Sequence, residues 1–278
     1  HGPAYLPRLA SGPPGGQPAD FHAPPPVPHN VRLHPDLTGG GDTLDFKVSV
    51  VIPTLNAGTE FRWMLRKLRA QKAVREIEIV VVDSGSTDET VAIASAYKAK
   101  VIHQDWLGFG PQKQLAVAKA SHDWVLCMDS DEILDNEVVA EILRLKAGED
   151  LDPACAWRLP RYWYVLGEPV RTIYPVSSPD YPVRLFNRTT AAFNNRAVDD
   201  QVVGHARSLK LPGRVRHDTF YSLHEVFSKL NSYTTRLVKH QKIRPSLGRG
   251  IISAIGAFFK WYLFSGAWRN GKVGAVTG

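Results

Sequence analysis

The chain has 278 residues, 44% of them apolar and 22% charged, which predicts one sizeable folded domain with or without appendages. Its two cysteines, Cys127 and Cys155, lack metal-ligand spacing. Two cysteines alone do not indicate a disulfide framework, which favours a reducing compartment. Residues 1–155 hold 15 basic and 21 acidic side chains, whereas residues 156–278 hold 19 basic and 6 acidic ones; this asymmetry fits either a solvated basic surface or a phosphate-rich partner such as a nucleotide, an anionic lipid surface or a nucleic acid.

The first 45 residues differ in composition from the rest of the chain. They contain 10 of the 20 prolines and 7 of the 22 glycines and show no apolar periodicity. This composition predicts a disordered or loosely attached segment over residues 1–45. The chain begins with His1 and has no visible signal peptide, from which we expect a fragment, a processed product or a partial reading frame.

Strands and helices are predicted to alternate from residue 46 onward. Continuous apolar runs predict four strands, at residues 48–52, 77–82, 101–102 and 124–128. The signals for helices are apolar spacing over 61–68, a capping box at Ser86 and Glu89, the pair Gly110-Pro111, and a cap at Asp135. Because the connections are short, the alternation predicts an α/β fold with a mostly parallel central sheet and helices on both faces.

After residue 156 the alternation stops. A segment rich in aromatics, arginine and proline follows, and a second capping box at Ser222 and Glu225 predicts a long helix. Residues 251–267 are strongly apolar apart from Lys260. This run is short for a transmembrane helix, which needs about 20 residues, and it fits either an interfacial segment or a buried core helix.

Two carboxylates follow the fourth predicted strand, one residue apart, in the run Asp129-Ser130-Asp131, and Glu132 comes next. In an open α/β sheet, ligands bind outside the carboxyl ends of the strands. Clustered carboxylates are costly there without a cation, and oxygen ligands suit Mg²⁺ or Mn²⁺ shared with substrate phosphates. The pattern therefore predicts a nucleotide diphosphate with Mg²⁺ or Mn²⁺, although Asp-x-Asp alone is a weak signal because acidic turns are common.

Polar residues also follow the first two predicted strands, on the same side of the sheet. Asp83 can accept a hydrogen bond from a base N–H or a ribose hydroxyl, an interpretation we favour over a turn that only caps a helix. Pro53, Thr54 and Asn56 either offer polar groups to a base or form an ordinary turn. Lys113, near the start of the third helix, either reaches a phosphate or belongs to an ordinary loop.

Three of these motifs resemble those of family-2 glycosyltransferases with the GT-A fold. They are Val-Ile-Pro-Thr-Leu-Asn at 51–56, Val-Asp-Ser-Gly-Ser-Thr-Asp at 82–88 and Met-Asp-Ser-Asp-Glu at 128–132. The run Trp-Leu-Gly-Phe-Gly-Pro-Gln-Lys at 106–113 narrows the resemblance to bacterial lipopolysaccharide core β-glucosyltransferases and their relatives. The resemblance covers roughly residues 46–278. It specifies the superfamily well and the sugar poorly.

The resemblance also implies roles for individual residues. Asp83 would hold the nucleobase, and Asp129 and Asp131 would hold ribose and metal. His217 resembles a histidine that is either a third metal ligand or a diphosphate contact, with an ordinary packed or surface histidine as the alternative. The full set of residues implied to bind the nucleotide sugar is Pro53, Thr54, Asn56, Asp83, Ser84, Lys113, Asp129 and Ser130.

The resemblance further implies a general base. In the resembling enzymes a His-Glu pair follows a Val ahead of the last core strand, and the matching run here is Val198-Asp199-Asp200. Asp200 takes the position of the Glu and is the candidate catalytic base. Asp199 replaces the usual His, and this departure leaves the acceptor specificity open.

These inferences predict an inverting, metal-dependent glycosyltransferase with a GT-A domain over 46–218 and a helical, membrane-surface region over 219–278. The expected donor is a nucleotide-diphosphate sugar of the UDP-glucose kind, and the expected acceptor is a glycan or glycolipid such as the lipopolysaccharide core. We expect a peripheral protein at the cytoplasmic face of a bacterial membrane. Two alternatives are a polyprenyl-phosphate glycosyltransferase and a non-catalytic nucleotide-sugar-binding protein. A nucleic-acid partner is not expected, because the sequence has no recognised nucleic-acid motif.

Overall fold

The computed structural model describes residues 48–70, 77–147, 151–173, 176–196, 200–220, 222–228, 231 and 246–277. The prediction for residues 1–45 lies outside these ranges, and so do the predictions for Val198 and Asp199.

Up to residue 220 the described residues form fifteen strands and four α-helices, and residues 223–228 are helical as well. The strands are β1 (Val48–Thr54), β2 (Ile77–Asp83), β3 (Lys100–His103), β4 (Trp124–Cys127), β5 (Glu132–Leu134), β6 (Cys155–Arg158), β7 (Arg161–Val165), β8 (Glu168–Pro169), β9 (Thr172–Ile173), β10 (Val176–Ser177), β11 (Val183–Asn187), β12 (Ala192–Phe193), β13 (Val202–Val203), β14 (Arg207–Lys210) and β15 (Val215–Phe220). The helices are α1 (Gly58–Ala70), α2 (Thr90–Ala96), α3 (Phe109–Ala118) and α4 (Asn136–Ala147).

The central sheet contains seven of these strands, in the order β14-β6-β11-β4-β1-β2-β3. Strand β11 is antiparallel to both of its neighbours, β4 and β6. The other four pairings are parallel. The prediction of a mostly parallel sheet is therefore confirmed, and β11 is the exception that the sequence did not indicate.

Helices cover both faces of this sheet, because successive side chains of a strand point to opposite sides. On β1, Val50 and Ile52 pack in one core with Phe61 of α1. Val51 points the other way and packs in a second core with Val117 of α3. The inner strands β1, β2 and β4 are thus buried on both faces, which explains why these strands read as continuous apolar runs.

A second sheet in the described part of the chain has the order β5-β15-β7-β8. Strand β15 pairs antiparallel with β5, so that His217 lies opposite Glu132, and parallel with β7 on its other side. Since β5 begins directly after the Asp129-Ser130-Asp131 turn, this sheet brings residues from the last strand of the domain to the predicted site.

Three local predictions can be compared with the structure. Strand β1 continues through Pro53 to Thr54 instead of ending at Pro53, because Pro53 and Thr54 lie beyond the residues that pair with β4. The capping box of α2 is wrong: its N-cap is Glu89, which makes no side-chain cap, and Ser86 hydrogen-bonds Asp83 instead. The cap of α4 is confirmed, since Asp135 accepts a hydrogen bond from Val138 N at 2.8 Å.

The C-terminal region is helical over 247–277. An α-helix (Leu247–Ala257) runs into a π-helical stretch (Phe258–Phe264), and a 3₁₀ turn (Ala267–Asn270) and a final helix (Gly271–Thr277) follow. No side chain of the first two elements is buried, so the expectation of a buried core helix at 251–267 does not hold over 251–264. Within the described residues no single helix has the length and apolar character to cross a membrane, but the pair Leu247–Phe264 and Ala267–Ala275, bent by 63°, meets those criteria together.

Candidate functional site

The carboxyl ends of β1, β2 and β4 form one edge of the central sheet. Parallel pairing places Thr54 of β1 beside Asp83 of β2, and Val51 of β1 beside Cys127 of β4. The predicted nucleotide motifs therefore come together, as expected for strands that end at the same edge of an open sheet.

Asp83 is held in place by hydrogen bonds from its own loop. Its carboxylate accepts from Gly85 N at 3.0 Å and Ser86 N at 2.9 Å, from the hydroxyl of Ser86, and from Thr54 Oγ1 at 3.2 Å. Gly85 has φ +93°, a backbone conformation that favours glycine. Asp83 is 3% exposed, so it organises this loop in the structure, and its predicted contact with a base stays a prediction.

Asn56 and Ser84 join the loops that follow β1 and β2. Asn56 Oδ1 accepts from Thr87 N at 2.8 Å. The hydroxyl of Ser84 accepts from the amide of Gln112 at 3.0 Å, and Gln112 is fully buried on α3. Gln112 was not among the predicted residues, although it lies directly before Lys113 in the motif that carried the resemblance.

Asp129 is surrounded by three cations. Its carboxylate lies 2.9 Å from Lys113 Nζ, 2.6 Å from Arg184 and 3.5 Å from Arg161. Burial alone would raise the pKa of Asp129, but Arg184, Lys113 and Arg161 hold that pKa well below its usual range. The three cations therefore keep Asp129 in its charged form and compensate its negative charge.

The two arginines belong to a buried network that the sequence analysis missed. Arg184 on β11 also contacts Glu132, whose side chain is fully buried, and Arg161 on β7 contacts Glu132 at 3.1 Å and Asp180. Arg184 reaches Asp129 because the antiparallel strand β11 pairs with β4. No local spacing in the sequence relates these residues, and the number of arginines after residue 156 was the only available signal.

Lys113 connects the nucleotide motifs to the candidate base. Its ammonium lies 2.8 Å from Asp200 Oδ2 and 2.9 Å from Asp129 Oδ1, and its side chain is 6% exposed. Burial alone would lower the pKa of Lys113, but Asp129 and Asp200 raise it above its ordinary value. Two carboxylates far apart in sequence thus share one buried ammonium.

The backbone of α3 lies directly against the segment that leads to Asp200. Gly110 N donates to Arg196 O at 3.1 Å. A Cβ at Gly110 would lie 2.2 Å from Asn194 O and 2.7 Å from Arg196 O, closer than any side chain can be accommodated against backbone. Glycine is therefore required at position 110 by close approach of two backbone segments.

Asp131 and His217 form a pair beside this network. His217 Nε2 lies 3.1 Å from Asp131 Oδ2. Burial alone would lower the pKa of His217, but Asp131 raises it; burial would likewise raise the pKa of Asp131, but His217 lowers it. The other ring nitrogen, His217 Nδ1, is buried and has no hydrogen-bond partner in the part of the chain that the structure describes.

Two of the three predicted metal ligands lie side by side, because His217 Nε2 and Asp131 Oδ2 are 3.1 Å apart in a hydrogen-bonded pair. A carboxylate oxygen and an imidazole nitrogen are donor types that a divalent cation binds, and their contact with a metal stays a prediction. Asp131 is 40% exposed and open to a ligand. Asp129 faces its three cations instead, and across the described ranges no group of three or more His, Cys, Asp or Glu is arranged to hold a metal.

The remaining predicted residue, Ser130, is half-buried in the turn between β4 and β5. The structure thus brings together Thr54 with Asp83, Ser84 with α3, Lys113 with Asp129 and Asp200, and Asp131 with His217.

Comparison with known proteins identifies relatives of this chain. Residues 49–202 match the family described as glycosyl transferase family 2. An uncharacterized glycosyltransferase of Rickettsia conorii is 31% identical over 210 residues, covering 71% of each chain. The lipopolysaccharide core biosynthesis glycosyltransferase LpsC of Rhizobium meliloti is 30% identical over 224 residues, covering 72% of this chain and 78% of LpsC.

Solved structures give weaker likenesses. The S. aureus TarS 1–349 complex with UDP has a TM-score of 0.47 at 17% identity, covering 77% of this chain and 72% of that one. The Mycobacterium tuberculosis glucosyl-3-phosphoglycerate synthase complex with Mn²⁺ and UDP has a TM-score of 0.33 at 27% identity. There the match covers 42% of this chain and 44% of that one. With TM-scores below 0.5, neither likeness carries an inference about this chain.

Proposed function

This chain belongs to glycosyl transferase family 2, and from that premise we propose that it is an inverting, metal-dependent hexosyltransferase. The proposed donor is a UDP-glucose-like nucleotide sugar, and the proposed acceptor is a glycan or glycolipid of the lipopolysaccharide core. The similarity to LpsC supports this acceptor class. We propose that the enzyme works at the cytoplasmic face of the bacterial membrane.

The observation that carries the proposal is the Lys113 ammonium shared by Asp129 and Asp200. It joins a strand-end carboxylate of the nucleotide motifs to a carboxylate outside them. A transferase needs such a junction, because the anomeric carbon of the donor must lie within reach of a base that activates the acceptor.

The proposed reaction is a single displacement. Asp200 accepts the proton of an acceptor hydroxyl while the oxygen of that hydroxyl forms a bond to the anomeric carbon. The bond from that carbon to the diphosphate oxygen breaks, and the anomeric centre inverts. A positioned base of this kind contributes about 10²–10⁴-fold. Lys113 keeps Asp200 oriented toward the donor side of the site.

Asp131 and His217 are the residues that would hold the metal. A divalent cation there supplies Lewis-acid stabilisation of the negative charge that develops on the leaving diphosphate. Asp129, already paired with Arg161, Arg184 and Lys113, fixes the position of the turn that carries Asp131.

A panel of nucleotide sugars tests the proposal. With Mn²⁺ present, we expect one UDP-sugar to raise the melting temperature and to be hydrolysed slowly, and both effects to weaken without metal. The Asp131→Asn variant should lose the metal-dependent part of both the melting-temperature shift and the hydrolysis. If no nucleotide sugar shifts the melting temperature under any metal condition, the proposed donor class is wrong.

The base assignment has its own test. Asp200→Asn should still bind donor and metal but lose acceptor-dependent turnover by about 10²-fold or more, because a neutral amide cannot accept the proton. Calorimetry of donor binding and a transfer assay measure the two quantities separately. Asp199→Asn is the matched control with an expected milder effect. If Asp199→Asn abolishes transfer and Asp200→Asn retains it, Asp199 is the base.

A further inference from the structure

The helical stretch 247–264 has two chemically different sides. Large apolar residues recur at helical spacing on one of them, which we call the apolar C-terminal face: Ile251, Ile252, Ile255, Phe258, Phe259 and Leu263. These six side chains are between 40% and 72% exposed. On the α-helical part, Leu247–Ala257, projection at 100° per residue places Arg249 and Ser253 away from the three isoleucines. The isoleucines thus form an apolar face on the α-helical part, and no residue of 247–264 is buried, so this face is open to a partner.

The surrounding sequence carries positive charge without any compensating acid. Residues 226–278 contain nine Lys or Arg residues and no Asp or Glu. Aromatic side chains accompany these cations, as Lys260 lies 5.2 Å from the centre of the Trp261 ring, and Trp268 is 49% exposed. An apolar face with a basic opposite side and tryptophans at its edge fits the boundary between lipid headgroups and acyl chains.

We propose that the apolar C-terminal face docks on an anionic lipid bilayer, with the helix 247–264 lying in the plane of the interface. The apolar residues enter the acyl boundary, and the basic residues bind lipid phosphates and other anionic headgroups. The nine basic residues of 226–278, with no acidic residue among them, disfavour a second copy of this chain as the occupant, because two such regions repel each other. They also disfavour a membrane span, which would bury Arg249 and Lys260 in the hydrocarbon.

Docking would confine the enzyme to two dimensions at the surface where lipid-borne acceptors are found. Combined with the proposed function, on which this step rests, it assigns the acceptor to the lipid-linked glycans. The docking itself requires no sugar transfer, so vesicle binding and transfer activity can fail independently of each other.

Sedimentation with vesicles tests the docking. The full chain should co-sediment with an equal mixture of phosphatidylcholine and phosphatidylglycerol, bind pure phosphatidylcholine much less, and dissociate as salt screens the charges. Ile255→Glu with Phe259→Glu should reduce binding to the mixed vesicles by about tenfold or more. The matched control is Val203→Glu with Leu209→Glu, which adds the same charge at apolar residues 47% and 50% exposed on the catalytic domain; it should bind like the wild type.

Four results would overturn the proposal. One is absence of wild-type binding to phosphatidylglycerol vesicles at low salt. Another is equal loss of binding in the two double variants, since the effect would then come from charge alone. The third is a protein that resists extraction from vesicles at high salt and alkaline pH, which would identify a membrane span. Light scattering that found a dimer dissociated by Ile255→Glu with Phe259→Glu, without vesicle binding, would assign the face to a second copy instead.

Discussion

Lys113 lies where the nucleotide motifs meet the candidate base, and its ammonium contacts a carboxylate on each side. The sequence analysis placed this residue near the substrate because it follows a glycine-containing loop. It could not identify the two partners, because Asp129 and Asp200 come from separate parts of the chain. We therefore interpret Lys113 as a positioning residue for Asp200.

Replacing the ammonium tests that role. Lys113→Met keeps most of the side chain's volume but leaves two carboxylates without their shared cation, so we expect turnover to fall by about tenfold or more. Lys119→Met, an exposed lysine just after the same helix, is the matched control and should be neutral. A double variant with Asp200→Asn should add little to the loss of turnover, because both changes remove the same positioned base. Additive losses would show that Lys113 acts on the donor alone.

The pair Asp131–His217 predicts a pH dependence of stability. The folded-state pKa of His217 is raised, so its contribution is complete below about pH 6.5 and declines as the pH rises through the folded value. The folded-state pKa of Asp131 is lowered, so its contribution is complete above about pH 4 and declines as the pH falls. The pair therefore stabilises the protein most between about pH 4 and 6.5.

Denaturant unfolding at two pH values measures this effect. The loss of unfolding free energy in His217→Gln should be larger at pH 6 than at pH 9, because the contribution of the protonated imidazole declines as the pH rises through its raised pKa. Asp131→Asn should show the same trend because it removes the partner. An equal loss at both pH values would mean that His217 is neutral throughout and stabilises only by packing against Trp163.

At the scale of the elements, the antiparallel strand β11 is the feature that completes the site. It inserts between β4 and β6 and carries Arg184 to Asp129 and Glu132. The Arg184 side chain is 4% exposed, and its removal would take away one of the cations that compensate the burial of Asp129 and Glu132. Its function is thus to make a carboxylate-rich strand end compatible with burial.

Arg184→Met should reduce the free energy of unfolding by about 3–5 kcal/mol, because it removes one partner of a buried ion pair. Arg188→Met is the control, since Arg188 is more exposed and lies 3.6 Å from an exposed Asp123; about 0–1 kcal/mol is expected there. Urea unfolding monitored by circular dichroism provides both values. If the two variants lose equal stability, the network around Asp129 is not the buried support described above.

The elements themselves were largely predictable. The strands β1 to β4 follow from apolar runs, α1 from helical spacing, α3 from Gly110-Pro111 and α4 from its Asp135 cap, all of which are local signals. The helix α2 was expected from a capping box that the structure does not contain. Strand β11 and the second sheet were not predictable in their placement, because pairing partners distant in sequence decide them. The same division applies to the site: Asp83, Asp129 and Asp131 stand in local motifs, whereas Arg161, Arg184 and the contacts of Lys113 depend on β7, β11 and the segment before β13.

At the scale of the whole molecule, the proline-rich start of the chain is expected to be dispensable. Removing residues 1–45 should leave melting temperature and transfer activity nearly unchanged, because the segment lacks core-forming periodicity. Thermal unfolding and the transfer assay compare the shortened and the full chain. A clear fall in either quantity would show that these residues contribute to the folded domain.

The close backbone contact at Gly110 limits how this enzyme can diverge. The loop at 194–196, which precedes the candidate base Asp200, must keep two carbonyls against a position that admits no side chain. Changes that lengthen or reshape that loop would move Asp200 relative to Lys113. A side chain at position 110 would have the same effect, because it would displace the loop from the helix that carries Lys113. Acceptor specificity is therefore expected to evolve, or to be engineered, through residues beyond 200 and through Asp199, while the loop's length and Gly110 change only together.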